Sequence, residues 1–581
     1  MECRGVLAVE DALAGQLTVF SSTQAPYMLR RALAGWMELD ESRVRVAAPN
    51  VGGGFGPKAG IYVEEFAVTL AARKLHKPVK WVEDRREHFL ATNQQRDEIW
   101  DLEVAADRNG RLVAVRGTCL HDNGAYLPYG LILPATLLAP FPGPYALQAF
   151  DMTIEVVLTN KVPTSPVRGA GRPNVAFVLE RLADRVAREL EIDRAEVRRR
   201  SFVRADQFPY KTGMLARDGS PVAYDSGDYA ACLDAAWQAI GAAEFPPLQA
   251  KARENGRYVG LGIASYVEDT GLPPFEGAAV KIERNGNVLI STGAASQGQG
   301  HQTMLAQIAA DVLAVPIERI RVISADTGAF PHGIGTIGSR VAATAGPSVH
   351  VAAQKVRDKA IKLAADMLEA AEVDLVLDNG LIRVAGTDKS VALADIARRI
   401  DGDAAMPLPA GVEPGLAASA YYEARATTFA SGTNAAEVEV DIETGAVKIL
   451  RYVVAHDCGK LINPMLVDGQ IRGGVVHGIG NALFERMVYD EQAQPLSTNY
   501  ADYLLPSAPE MPRIEIMHLE SPSPLNPIGV KGAGEGGTIP AAACIVSAIE
   551  DALSPFGVNF AEHPLSPETI LAAIRNAASR S

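Results

Sequence analysis

A lone carboxylate set in almost bare backbone is the strongest chemical signal in this chain. Residues 529–537 read Gly-Val-Lys-Gly-Ala-Gly-Glu-Gly-Gly, so Glu535 follows Gly534 in a loop with few side chains. Glycine lacks Cβ and accepts positive φ, so such a loop can press its N–H groups and one base against a bulky anionic cofactor. The apolar run 539–553 predicts a buried helix whose N-terminus points back at the loop and favours negative charge there. Proton abstraction by Glu535 beside a large redox cofactor is the chemistry this pattern suits.

Five other segments have the composition of ligand-holding turns. Ser22-Thr23-Gln24 follows a strand-like run, and residues 51–58, with Gly53, Gly54, Phe55 and Gly56, lie between strand 44–47 and a helix. Arg168 and Arg172 share the small-residue turn 167–173. Gly298-Gln299-Gly300 leads through His301 into a helix, and Gly335, Thr336, Gly338, Ser339 and Arg340 lead into another. Glycine turns that open helices offer converging backbone donors to phosphates or similar acceptors. Gln24 and Gln299 can each donate and accept, which suits a heterocycle's edge or a metal–oxo group. The 51–58 loop fails as a dinucleotide fingerprint because Pro57 stands where the third glycine belongs, and no Gly-Lys-Ser/Thr follows. His301, His456 and His477 are not spaced as a metal site and read as interior or loop histidines.

These turns need a scaffold of strands and helices. Apolar periodicity predicts helices at 61–75, 174–190, 301–313, 340–368, 471–482 and 539–553, and a last one begins at Ser566-Pro567. Asp107-Arg-Asn-Gly110, Arg284-Asn-Gly-Asn287 and Glu443-Thr-Gly445 mark hairpins between alternating runs. Hairpins mixed with long helices give an α+β class. A polar, proline-containing stretch at 245–256 divides the chain into domains 1–245 and 246–581.

Composition narrows the function classes. The formal net charge of −14, with no basic cluster, argues against a nucleic-acid partner. The five cysteines are scattered and never spaced Cys-x-x-Cys, so an iron–sulfur cluster or zinc site held by this chain alone is not expected. They fit free thiols in a reducing cytosol, and a cytoplasmic location is expected. No apolar run is long enough for a membrane span, since 131–147 is broken by Pro134, Pro140, Pro142 and Pro144.

Taken in this order, the loops resemble the molybdenum-cofactor-binding large subunit of the xanthine dehydrogenase and aldehyde oxidase family, the molybdenum hydroxylases. The resemblance runs from about residue 1 to the last helix. It implies two elongated mixed α/β domains with the molybdopterin cofactor between them. The metal is then held by the pterin dithiolene, with no direct protein ligand. Gln24 is expected near an oxygen on molybdenum, Gly53, Gly54, Phe55 and Gly56 flanking the metal, and Arg168 lining its site. Gly298, Gln299 and Gly300 are expected on the pterin and its phosphate, with Thr336, Gly338, Ser339 and Arg340 cradling the pterin. Gly534-Glu535 carries the family's base. His477 stands where the family commonly has glutamine ahead of Gly478, so the cofactor contact there is expected to differ.

The resemblance also implies an activity and partners. Glu535 accepts a proton as water-derived oxygen reaches an electron-poor carbon of an N-heteroaromatic ring or an aldehyde. Electrons leave through a small [2Fe–2S] subunit and an FAD-binding subunit, and the pterin is expected in its cytosine dinucleotide form. Cyclic-amine dehydrogenation or thioester dehydroxylation at the same cofactor, or a non-catalytic scaffold role, are the alternatives. Copper-dependent carbon monoxide oxidation is disfavoured because Gly169 replaces the copper-binding cysteine, and xanthine-type binding because of Ala59 and Ala170. The family's usual N-terminal region is lacking, and truncation or a separate chain would account for that.

Overall fold

The apolar run ending in Glu268 and Asp269 forms strand Tyr258–Thr270, the edge of a four-stranded sheet. Thr428–Val440 and Val447–Asp457 follow antiparallel, and Ile514–Leu519 closes the sheet in parallel. The computed structural model describes residues 1–216, 218–402, 408 and 411–579.

Helix Ala541–Ala552 lies directly on this edge strand. Two glycines make the approach feasible: a Cβ at Gly260 would stand 2.2 Å from the Ala552 nitrogen, and one at Gly262 would stand 2.0 Å from the Cys544 oxygen. Alanines and β-branched residues of the helix fill the interface and form one buried cluster with Ile471, Val475 and Ile479. Helix and strand run in opposite directions, so the 529–537 loop is carried over the far end of the strand. There the Gly532 amide donates to Thr270 Oγ1 at 3.0 Å.

A second four-stranded sheet runs Ile320–Ser324, Val288–Thr292, Phe275–Ile282, Ala417–Glu423. Val288–Thr292 and Ile320–Ser324 are parallel, and helix His301–Leu313 makes the crossover such a pair requires. Helix Val341–Leu368 covers this sheet and buries Val349, Ala352, Ala353 and Val356 in the largest apolar cluster. Nearer the N-terminus, Val44–Ala47, Gln16–Ser21, Gly5–Asp11 and Val79–Val82 form a sheet covered by helices Pro26–Trp36 and Val63–Leu75. Strands Glu98–Ala106, Leu112–Asp122 and Ala149–Val157 form another. Helix Arg172–Glu189 ties the halves together: Val175 and Leu179 pack with the N-terminal elements, Phe177 with the cluster around helix Ala541–Ala552.

The expected hairpins and helices are present, with two differences. The helix expected from residue 471 begins at Pro464, where the Asn463 side chain accepts from the Leu466 amide at 3.0 Å. The polar stretch at which the domain boundary was placed contains helix Phe245–Glu254, docked on the edge strand through Gln249 Nε2 to the Val259 carbonyl at 2.9 Å. Proline in the first turn starts that helix rather than breaking it. Among the described residues no helix is long and apolar enough to cross a membrane.

Candidate active site

Separate turns of the chain open onto one cavity of about 2030 Å³. The first turns of helices Arg172–Glu189, His301–Leu313, Val341–Leu368 and Pro464–Leu483 all contribute to its wall. None of those four first turns carries an acidic residue. Their positive dipole ends are therefore not neutralised by an acid of their own and favour an anionic occupant, although the first amides of helices Arg172–Glu189 and Pro464–Leu483 are already taken within the protein. Helix Ala541–Ala552 behaves differently from expectation: it starts after Pro540 and does not reach the cavity, its first turn being buried against protein.

Of the residues singled out in the sequence, Gln24, Gly53, Gly54, Phe55, Gly56, Arg168, Gly298, Gln299, Thr336, Gly338, Ser339, Arg340, His477, Gly534 and Glu535 all line this one cavity. Gly300 is turned aside, and a Cβ there would meet the Leu466 side chain at 2.6 Å.

Several of them hold loops together. Gln24 donates through Nε2 to the Thr336 carbonyl and accepts at Oε1 from the Gly56 amide, both at 2.9 Å. Both ends of its amide are thus engaged in tying loops from two halves of the chain. Gly54 leaves room for this amide, since its Cβ would lie 2.6 Å from Gln24 Oε1. Gly56, at φ +113, would place a Cβ 1.8 Å from the Pro166 carbonyl. Thr336 Oγ1 donates to the Ala295 carbonyl. Gln299 folds back on Gln297, accepting from its amide at 2.6 Å and donating to its side chain at 2.9 Å. The Arg340 guanidinium is wholly buried on Glu276 at 2.8 Å and on the carbonyls of Leu272, Gly335 and Phe275. It clamps the turn that presents Gly338 and Ser339 and has no face toward a ligand.

The base-bearing wall is built by two arginines. Arg168 Nε donates to the Gly534 carbonyl at 2.7 Å, and its Nη2 to the Gln470 carbonyl at 2.9 Å. Arg172 Nη1 donates to Glu535 Oε2 at 3.2 Å, while its Nε pairs with Asp269. The peptide before Glu535 and the Glu535 carboxylate are thereby held from the same turn, 167–173. Burial lowers Arg168 to about 10, with Glu535 and Glu268 opposing, so it remains cationic at neutral pH. Burial, reinforced by Arg96 and Arg168, drives His477 well below its ordinary value, so its ring is neutral. That ring meets Phe55 edge-on at 6.1 Å.

Sequence reasoning missed three participants. Arg96, half-buried in the wall, donates to the Arg168 carbonyl. Arg172 was visible only as a companion of Arg168, although Arg-Pro after glycine marks a helix start. Glu268 lies behind the wall, buried near the end of strand Tyr258–Thr270, and its place at the end of an apolar run is the one sequence signal that could have found it.

The wall also carries buried polar atoms without partners among the described residues: Gln297 Nε2, His301 Nδ1, Ser339 Oγ and Asn481 Oδ1. Beside Gly298, at φ +100, a Cβ would meet nothing within 4 Å. Unpaired buried donors and acceptors, open glycine backbone and unneutralised helix starts together fit a large, anionic, hydrogen-bonding cofactor such as a pterin phosphate.

Comparison with known proteins agrees with that donor set. Residues 1–202 and 235–512 each match the family model described as molybdopterin cofactor-binding domain. The nicotine 6-hydroxylase large subunit of Paenarthrobacter nicotinovorans is 40% identical, over 99% of this chain and 71% of the relative. The carbon monoxide dehydrogenase large chain of Hydrogenophaga pseudoflava is 36% identical, over 97% of this chain and 71% of the relative. The crystal structure of quinoline 2-oxidoreductase from Pseudomonas putida 86 superposes with a TM-score of 0.92 at 36% identity, covering 99% of this chain and 74% of that one.

Proposed function

Because the chain belongs to the molybdopterin cofactor-binding family, as an oxidoreductase large subunit of the xanthine dehydrogenase type, we propose that it hydroxylates an electron-poor ring carbon of an N-heteroaromatic substrate. When bound, the molybdenum cofactor supplies the oxygen-transfer and two-electron chemistry. This chain supplies position and proton handling. The single observation that carries the reading is Glu535 held at the cavity wall by Arg172 while Arg168 fixes the peptide before it.

With Oε2 on Arg172, the other carboxylate oxygen is left to take a proton from the reacting group. A carboxylate at that position contributes general-base catalysis. Arg168 and Arg172 bring positive charge to a site that binds anionic groups. Gly298, Gln299, Gly338 and Ser339 would hold the pterin side, and the helix His301–Leu313 N-terminus its phosphate. Gln24 and Arg340 would act one step back, by fixing the loops that make these contacts. His477, neutral and against Phe55, would approach the cofactor from helix Pro464–Leu483.

Two features favour an aromatic heterocycle. The named relatives include a nicotine hydroxylase subunit and a quinoline oxidoreductase. Phe89, Tyr500 and Tyr503 also line the cavity, Phe89 in ring contact with each tyrosine, offering apolar faces to a flat substrate. Copper chemistry of the carbon monoxide type does not suit this chain. Gly169 follows the loop arginine at φ +95, and a side chain there would meet Pro173 at 2.6 Å. Partners carrying [2Fe–2S] clusters and FAD, and the cytosine dinucleotide form of the pterin, complete the proposal.

The test is product analysis in isotope-labelled water with the native complex, together with its molybdenum, flavin and subunit masses. Incorporation of one labelled oxygen per turnover into an N-heteroaromatic ring is expected. Oxidation without solvent oxygen would overturn hydroxylation and favour dehydrogenation at the same cofactor.

A further inference from the structure

The two ends of helix Pro464–Leu483 meet the cavity with opposite polarity. Its first turn has no acid, and its last turn has no base. The carbonyls of the last turn carry the negative end of the helix dipole, which favours a cation. An acid stands there instead. Glu485 follows the helix directly, and its amide donates to the Gly480 carbonyl at 2.8 Å. Its carboxylate folds back on that turn, where a Cβ at Gly480 would lie 2.1 Å from Oε1. Oε2 accepts from the Tyr503 hydroxyl at 2.6 Å, and among the described residues Oε1 has no hydrogen-bond partner and no lysine or arginine pairs with the carboxylate. Glu485 lines the cavity together with Tyr503, Phe89 and Tyr500.

The rings continue outward from this carboxylate. Phe89 stands between Tyr503 and Tyr500, with ring centroids 5.3 and 5.6 Å away. Phe89 is buried and Tyr500 is 39% exposed, so the three rings run from the surface inward to Glu485. Aromatic faces are negative and attract cations, and the Arg85 guanidinium already lies over the Tyr500 ring at 4.8 Å. Carboxylate, helix end and ring faces thus all present negative potential. Arg96 is the cation whose charge reaches Glu485, but its Nη2 is committed to the Arg168 carbonyl. His477 and His563, which line the same cavity, are held neutral by burial. Burial also raises Glu485, with Tyr503 and Arg96 opposing, and a cation seated beside Oε1 would offset that cost.

Resting on the reading of this cavity as a hydroxylation site, we propose that Glu485, Tyr503 and Phe89 form a recognition subsite for a cationic nitrogen, so that the preferred substrates are N-heteroaromatics carrying a protonated amine away from the carbon that reacts. The amine keeps its proton and takes no part in the reaction. Oε1 of Glu485 accepts from it or faces its charge, Tyr503 holds the carboxylate in place through Oε2, and the Phe89 ring covers its alkyl groups. Seating the amine fixes which edge of the ring is presented to the base-bearing wall.

Calorimetric titration of the purified, loaded complex with benzyltrimethylammonium tests the subsite, with benzyl alcohol as the neutral probe. Wild type should bind the ammonium about tenfold more tightly than the alcohol, and Glu485→Gln should remove most of that difference. Turnover is read on an isosteric pair, 3-(dimethylaminomethyl)pyridine and 3-isobutylpyridine. In wild type kcat/KM should favour the amine about tenfold, and in Glu485→Gln the ratio should approach one. If Glu485→Gln does not accumulate folded, Phe89→Leu should narrow the difference between the two probes about threefold. Equal binding of the probes by wild type, or equal weakening of both in Glu485→Gln, would overturn the subsite while leaving the hydroxylase reading in place. Hydroxylation of neither pyridine, with ammonium binding present in wild type and lost in Glu485→Gln, would overturn the hydroxylase reading and keep the site for a cationic nitrogen.

Discussion

Two buried arginine–carboxylate clusters hang from helix Arg172–Glu189. About two turns separate them, and they are built to opposite ends. Around Arg198 every carboxylate is paired with an arginine. Its Nε donates to Glu180 Oε2 at 2.7 Å, Nη1 to the Arg194 carbonyl at 3.0 Å, and Nη2 to the carbonyls of Glu180 and Ile263. Asp184 pairs with both Arg198 at 2.9 Å and Arg181 at 2.7 Å, and the Tyr145 hydroxyl takes the remaining Glu180 oxygen. At the helix start, Arg172 is divided between Asp269 and Glu535, and Glu268 has no hydrogen-bond partner. The first cluster borders no large cavity, whereas the second faces the one in which the glycine turns meet. A network whose charges are all paired holds a fold; one that leaves a carboxyl unpaired near a cavity is where proton chemistry is sought.

Three substitutions press on this contrast. Arg198→Ala strands Glu180 and Asp184 in the interior and should cost about 3–5 kcal/mol of stability, read from denaturant midpoints, with turnover per bound molybdenum near wild type in the molecules that remain folded. A large loss of turnover per metal would erase the distinction between the clusters. Asp184→Asn probes the same network by pH. Burial alone would raise Asp184, but Arg198, Arg181 and Arg194 outweigh it and hold the carboxylate at about 2. A carboxylate held below its unfolded value of 3.8 contributes stability that is fully present above that pH and is lost as pH falls through 2. The variant should therefore be about 2 kcal/mol less stable at neutral pH and match wild type in strongly acidic melts. The smallest change is expected from Arg172→Lys. It keeps the charge but loses the fork that reaches two carboxylates, and turnover should fall about tenfold, or ~1.4 kcal/mol, with little change in melting.

Much of the site was legible because its glycines and helix starts are local features. The Gly298–Gly300 turn, helix His301–Leu313 and the Glu535 loop follow from composition over short windows. Where Arg340 spends its guanidinium was not legible, because its partner Glu276 lies 64 residues away across the sheet. Gln24 similarly bonds Thr336, 312 residues distant. Glu268 was hidden for another reason: its burial depends on which face of an edge strand lies under a loop 267 positions later, and its isolation on partners it does not have. The missed start at Pro464 was a local error, since Asn-Pro is a helix-start signal that the Asp468-Gly469-Gln470 interruption before Ile471 obscured.

The central claim is tested most directly by Glu535→Gln, with molybdenum per chain and turnover measured on the same purified complex. Metal content should stay at the wild-type level while turnover falls about a thousandfold, as loss of a general base requires. Wild-type turnover at full metal content would contradict the account.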